Sequence, residues 1–144
     1  MKLEIPYDES YYRPLYDTYC KQLYKVIQDE IRYSLNYNKY LIREPYILKM
    51  NFIKWKNKPL DKIDLRFYIT HCLVLNKTKD GYVIELNDTA LVTGSLTKVK
   101  DLIRLIEYGN ETLPAYPLIR NVLAYYQVHW QDEFQNVLEK YFNR

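Results

Sequence analysis

A chain of 144 residues that is 48% apolar and 27% charged has material for one hydrophobic core, which excludes wholesale disorder. Its net charge of +3 is too small to assign a polyanionic partner from bulk electrostatics. Seventeen tyrosines stand against three glycines, so phosphate-cradling loops and mobile lids are poorly supplied, whereas amphipathic contact surfaces are well supplied.

The first long segment, Tyr11 to about Tyr37, is predicted as a helix. Asp8, Glu9 or Ser10 can cap it, and Pro14 suits its first turn. Tyr16, Tyr19, Leu23, Val26, Ile27, Glu30 and Ile31 recur close to a 3.6-residue repeat, which marks the buried side. Pro45 then prevents a continuous helix. Beyond it Tyr46, Leu48, Met50 and Phe52 alternate with Ile47, Lys49, Asn51 and Ile53, the period of a strand. Asn57-Lys58-Pro59 reads as a turn.

Leu65 to Leu75 also alternates and is expected to be a strand, with Leu65, Phe67, Ile69, His71, Leu73 and Leu75 on one face. Asn76 to Gly81 ends in Asp-Gly, a strong turn signal, and Tyr82 to Leu86 returns as its hairpin partner. Ala90 to Thr93 is a further short strand candidate. Gly94-Ser95 opens a second helix, with Ser95 as N-cap and Leu96, Val99, Leu102, Ile103, Leu105 and Ile106 as its apolar side. Gly109 is placed to terminate it. Pro117 begins a third helix of about 25 residues, near 37 Å long, whose stripe runs through Ile119, Val122, Leu123, Tyr126, Trp130, Phe134, Val137, Leu138 and Tyr141. Such a helix is long for one small domain, so part of it is expected to project or to pack on another molecule. Strands clustered between helices predict a single α+β domain over residues 1–144, with a small antiparallel sheet, a hairpin near 65–87 and two C-terminal helices.

No catalytic constellation emerges. His71 lies on an apolar strand face and reads as a core or edge histidine. His129 with Asp132 and Glu133 offers three ligands on one helical turn, a poor closed site with no second cluster to complete it. Cys20 and Cys72 form no CxxC pair, and Cys72 and His71 are expected to point to opposite faces. The chain is therefore expected not to be an enzyme and to use no metal or cofactor. No charged-then-apolar leader precedes Pro6, and no apolar run approaches the ~18 residues of a membrane span. A host cytoplasm or a virus particle is the expected setting, not secretion or a membrane.

Two binding readings remain. From Asn38 to Arg66 eight cations face three anions, a local excess of five. Lys49, Lys54, Trp55, Lys56 and Lys58 within this band could contact phosphates and stack on a base, although lysines also protect an edge strand from stray pairing. The tyrosines argue for protein association. Those of the first helix surround more than one of its faces, so a single core stripe cannot bury them all. Tyr12, Tyr16 and Tyr24, with Trp130, Phe134 and Tyr141 of the last helix, are the expected interface residues. AT-rich codon usage would also enrich Tyr, Lys, Asn and Ile.

Leu102 to Tyr126 (LIRLIEYGNETLPAYPLIRNVLAYY) carries a Leu-Ile-Glu-Tyr-Gly-Asn helix end followed by a Pro-Leu-Ile helix start. This stretch resembles segments of small virion and uncharacterised proteins of tailed bacteriophages. The resemblance implies a small structural component of a phage neck, tail or baseplate that binds other virion proteins or copies of itself. It implies no functional residues. A nucleic-acid-binding accessory protein and an inhibitor of a host enzyme are the alternatives.

Overall fold

The computed structural model describes residues 1–7, 12–37, 54–55, 58–59, 65–92, 96–111 and 115–142. The described elements are β1 (Lys2–Pro6), α1 (Arg13–Tyr37), β2 (Lys54–Trp55), β3 (Lys58–Pro59), α2 (Leu65–Thr70), β4 (Leu73–Lys77), β5 (Gly81–Leu86), α3 (Val99–Tyr108) and α4 (Leu118–Phe142). The architecture is α+β, with helices set against an antiparallel sheet ordered β1-β5-β4 and a separate two-stranded ribbon of β2 and β3.

The sheet buries one face. In β1 Leu3 and Ile5 point inward while Lys2, Glu4 and Pro6 point out, the period-two alternation of a half-buried strand. Leu3 opposes Ile84 of β5, and Leu75 of β4 opposes the same residue from the other side. Gly81 opens β5 with φ 155°, and a Cβ there would collide with the Ile5 carbonyl oxygen and lie 2.8 Å from the Pro6 Cα. Glycine is therefore required by the close approach of β1, in addition to the turn that Asp-Gly signals in the sequence.

The strand expected over Leu65–Leu75 is corrected. Leu65–Thr70 is a helix, and the strand begins only at Leu73. His71 N–H donates to the Phe67 carbonyl at 3.1 Å, and the Phe67 and His71 rings meet at 4.8 Å, an i,i+4 contact that a strand cannot make. Ile69 and Thr70 are buried against the core while Phe67 and His71 are exposed, so His71 is not a core histidine. A short run of bulky residues is ambiguous by period alone, and here packing of one side against α1 decides for helix.

The helices follow their apolar stripes. α1 buries Tyr16, Tyr19, Cys20, Leu23, Ile27, Ile31 and Leu35, but Val26 and Glu30 of the expected stripe lie outside it. It is tied to the sheet by Tyr82, whose hydroxyl donates to Asp17 Oδ1 at 2.5 Å, with Lys77 Nζ 3.6 Å from the same oxygen. Of the strand expected over Ala90–Thr93, the described residues 90–92 contribute a bridge from Leu91 to Lys98 and no strand. α3 starts at Val99 with Lys98 as its N-cap residue, so Leu96 is exposed and not part of the apolar side. Gly109 ends it at φ 68°, its N–H donating to the Leu105 carbonyl at 2.7 Å, as its position past the last apolar residue predicted. α4 buries Ile119, Leu123, Tyr126, Trp130 and Phe134 against β1 and α1. The helix thus packs on its own chain at least as far as Phe134. The expected strand over residues 46–53, the capping residues Asp8, Glu9 and Ser10, and Asn57 lie outside the described residues; Lys58 and Pro59, expected in a turn, form β3, and Lys98 takes the N-cap position expected of Ser95.

Candidate docking groove between the first and last helices

Three of the six rings expected at an interface are core residues. Tyr16 stacks on Phe134 with centroids 4.5 Å apart, and Tyr19 meets the same ring edge-on at 5.1 Å. Trp130 lies 6.4 Å from Phe134, and its carbonyl accepts the Tyr19 hydroxyl at 3.1 Å. Tyr16, Trp130 and Phe134 are each almost fully buried, so they are not available to a partner. The physical reason is mutual: rings from two helices more than a hundred positions apart in the chain fill the same space. Tyr24 is half-buried, its hydroxyl donating to the Leu73 carbonyl at 2.7 Å and accepting from Gln28 Nε2 at 3.0 Å, so it fastens α1 to β4. Tyr12 alone of the described rings in that set is open to solvent, at 69%. The Tyr141 side chain lies outside the described residues.

Of the basic set, Lys54, Trp55 and Lys58 fall on the β2–β3 ribbon, where Lys54 pairs with Pro59 and Trp55 with Lys58. Their side chains, and the whole of Lys49 and Lys56, lie outside the described residues.

The structure assembles a different aromatic surface. Tyr33 of α1 and Tyr125 of α4 are 63% and 51% exposed and stand on opposite walls of a groove of about 620 Å³. Glu30, Tyr33 and Ser34 form the α1 wall, one helical turn of a single flank. Leu118, Asn121, Val122 and Tyr125 form the α4 wall. Tyr116 and Pro117, where the chain enters α4, close one end. The α4 wall has i, i+3, i+4, i+7 spacing and runs beside the core stripe of Ile119, Leu123 and Tyr126. The apolar spacing places Val122 in the core stripe, and the structure leaves it, with Leu118, half-buried between the core and the groove.

The walls are held in place. The Tyr125 ring packs on His129 at 4.4 Å and edge-on to Tyr126 at 5.1 Å. The Tyr126 hydroxyl is hydrogen-bonded to Glu30, which links the two helices beneath the groove. Burial first, and then the Glu30 charge, push that phenol up to about 12, so it stays a protonated donor at neutral pH. On the far side of α4, Gln127 Nε2 donates to the Glu4 carbonyl at 3.1 Å and its Oε1 accepts the Glu4 N–H at 2.9 Å. The side-chain amide pairs with β1 as a neighbouring strand would, fixing the helix and blunting that sheet edge.

A buried clasp sets the start of α4 and hence the closed end of the groove. Glu107, the last buried residue of α3, accepts Ile119 N–H at 2.5 Å on Oε1 and Arg120 N–H at 3.3 Å on Oε2. Arg120 Nε also approaches Oε2 at 3.4 Å, one guanidinium nitrogen donates to the Glu107 carbonyl at 2.7 Å, and the guanidinium lies 4.1 Å from the Tyr108 ring centroid. Tyr116 N–H donates to the Ile106 carbonyl at 2.8 Å. Burial pushes the Glu107 carboxyl above its ordinary value, while the two α4 amides and Arg120 pull it back. Glu107, Tyr108, Gly109 and Arg120 all belong to the Leu102–Tyr126 stretch, whose helix end and helix start act here as a stop, cap and clasp. Sequence reasoning did not single out Glu107, because a glutamate at a helix end ordinarily faces water.

The remaining chemistry-bearing groups are dispersed. Among the described residues no three His, Cys, Asp or Glu side chains come close enough to hold a metal ion. Cys20 and Cys72 are both free and buried, and burial pushes each thiol up to about 12, which makes them poor nucleophiles. Among the described residues no helix is long and apolar enough to cross a membrane. The chain matches no family model, no curated protein and no solved structure.

Proposed function

We propose that this chain is a protein-binding component that docks a partner in the groove between α1 and α4. The observation that carries the reading is the pair of half-exposed tyrosines, Tyr33 and Tyr125, flanking a groove of about 620 Å³ with mixed aromatic, apolar and polar walls. Tyrosine suits such a position because its ring supplies contact area while two χ angles cost little entropy to order. The Leu102–Tyr126 resemblance supports one setting for that activity, a small structural component of a phage particle that contacts other virion proteins or further copies of itself.

The test is site-specific photo-crosslinking. With benzoylphenylalanine at position 125, irradiation in the cells that make the protein is expected to yield a discrete adduct. The same group at position 67, exposed on α2, is expected to yield none. Light scattering with mass determination then distinguishes a second copy from a different protein. Equal yields from both positions, or no adduct from position 125, would refute docking at the groove.

A second reading is favoured by one observation, the antiparallel ribbon that brings Lys54, Trp55 and Lys58 together. Nucleic-acid binding through that ribbon predicts an affinity for single strands that falls linearly in log-log form with salt. Retention at low salt that is unchanged by Trp55→Ala and Lys58→Ala would remove it.

A further inference from the structure

We infer that the occupant of the α1–α4 groove is an extended, proline-rich protein segment that carries a lysine or arginine. The inference rests on the docking reading above and adds the chemistry of the partner. Three tyrosines, Tyr33, Tyr116 and Tyr125, together with Pro117, line the groove. Flat, rigid faces of this kind are what polyproline-II segments dock against, because the ligand is extended before binding and loses little entropy on capture. Ser34 and Asn121 place a hydroxyl and a carboxamide in the two walls. An extended chain offers its carbonyls to such groups along its whole length, whereas a docked helix has already satisfied its own main chain.

Charge fixes the polarity of the partner. Among the described residues lining the groove, Glu30 is the one that is charged at neutral pH, and it brings a negative charge to the α1 wall. The nearby Asp29 is already paired with Arg32 at 3.3 Å. Glu30 receives the Tyr126 hydroxyl, but a carboxylate accepts about four hydrogen bonds, which leaves capacity for an ammonium or guanidinium group. A basic residue on the incoming segment is complementary to this wall, and an acidic one is repelled.

The experiment is an amide-resolved NMR titration of the full chain with three synthetic peptides. One is a Pro-Pro-Ala repeat ending in arginine, the second is the same repeat ending in glutamate, and the third is a leucine-rich amphipathic helix. The arginine peptide is expected to shift the amides of Tyr33, Ser34, Asn121 and Tyr125. It should bind about five-fold more tightly than the glutamate peptide, the scale of one exposed ion pair plus relief of repulsion. That preference should shrink toward unity in Glu30→Gln and at high salt, and Tyr125→Ala should weaken both proline peptides alike. Equal affinity for the two charged ends, tighter binding of the helical peptide, or shifts confined to other surfaces would overturn the assignment. If no peptide binds while position 125 still crosslinks, the proline-rich assignment falls and docking stands. If neither occurs, both fall.

Discussion

Replacing Glu107 with alanine removes a carboxylate that is 1% exposed and serves as the acceptor for the first turn of α4. The Ile119 and Arg120 amides then lack a partner, and the Arg120 guanidinium loses its 3.4 Å contact. An unsatisfied buried amide costs about 1–3 kcal/mol, and loss of a helix N-terminal acceptor about 1 kcal/mol. Ile119 is buried whereas Arg120 is partly exposed, so water recovers some of the loss at the second amide. The expected destabilisation is therefore about 3 kcal/mol, or roughly 6–12 °C in Tm for a chain of this size. Glu107→Gln keeps one acceptor oxygen at nearly the same volume and should cost about half as much. Urea unfolding followed by far-UV circular dichroism measures both. A loss under about 0.5 kcal/mol in the alanine variant would show that burial of Ile119 and Leu123 positions α4 without the clasp. The pH dependence has a defined sign. The folded-state carboxyl lies above the unfolded value, so the native state holds the extra proton. Stability from this group is complete below the unfolded value of about 4.5 and is lost as pH rises through the folded one. The stability of the parent chain relative to Glu107→Gln should accordingly fall on going from pH 4 toward neutrality, and a rise would contradict the assignment of burial as the main cause.

Phe134→Ala removes the ring on which Tyr16 and Tyr19 pack and should cost about 3–5 kcal/mol in the same unfolding assay. A cost below about 1 kcal/mol would mean that the α1–α4 aromatic cluster does not hold the core. Gly81→Ala should destabilise by about 3 kcal/mol or more, because its Cβ meets main-chain atoms of β1 that no rotamer change can move. A near-native Tm in that variant would refute the close approach of β1 to β5. At the alkaline end, Cys20 and Cys72 titrate near 12 when folded and near 9 when unfolded, so stability should fall as pH rises above about 9. Thermal melts between pH 8 and 11, with Cys72→Ala flattening the decline, check this, and a flat profile in the parent chain would contradict the burial of the thiols.

Local signals were sufficient for the span of α1, the Asp-Gly turn and the return strand β5, the glycine that ends α3 and the whole length of α4, but not for the start of β4. Each is specified within a window of ten to twenty-five residues by apolar spacing, a cap or a turn pair. β1 had the signal, with Leu3 and Ile5 alternating against Lys2 and Glu4, but five residues at a chain end are too few to separate a strand from an irregular lead-in without its partner β5 in view. α2 was misread because Phe67, Ile69 and His71 satisfy both an i,i+2 and an i,i+4 pattern over so short a run, and only contact with α1 distinguishes them.

Composition and spacing determined that this chain folds as α+β, carries amphipathic helices at both ends and holds more rings than one stripe can bury. They could not determine which rings are buried. Tyr16, Tyr19, Trp130 and Phe134 gather in the core because α1 and α4 lie side by side, and that adjacency leaves Tyr33 and Tyr125 facing each other across a groove. Pairings across more than a hundred residues, such as Tyr19 with Trp130 and Glu4 with Gln127, have no local signature, because they depend on how whole elements meet. The position of Glu107 is the same case: a glutamate at a helix end becomes a buried cap only once the next helix begins beside it.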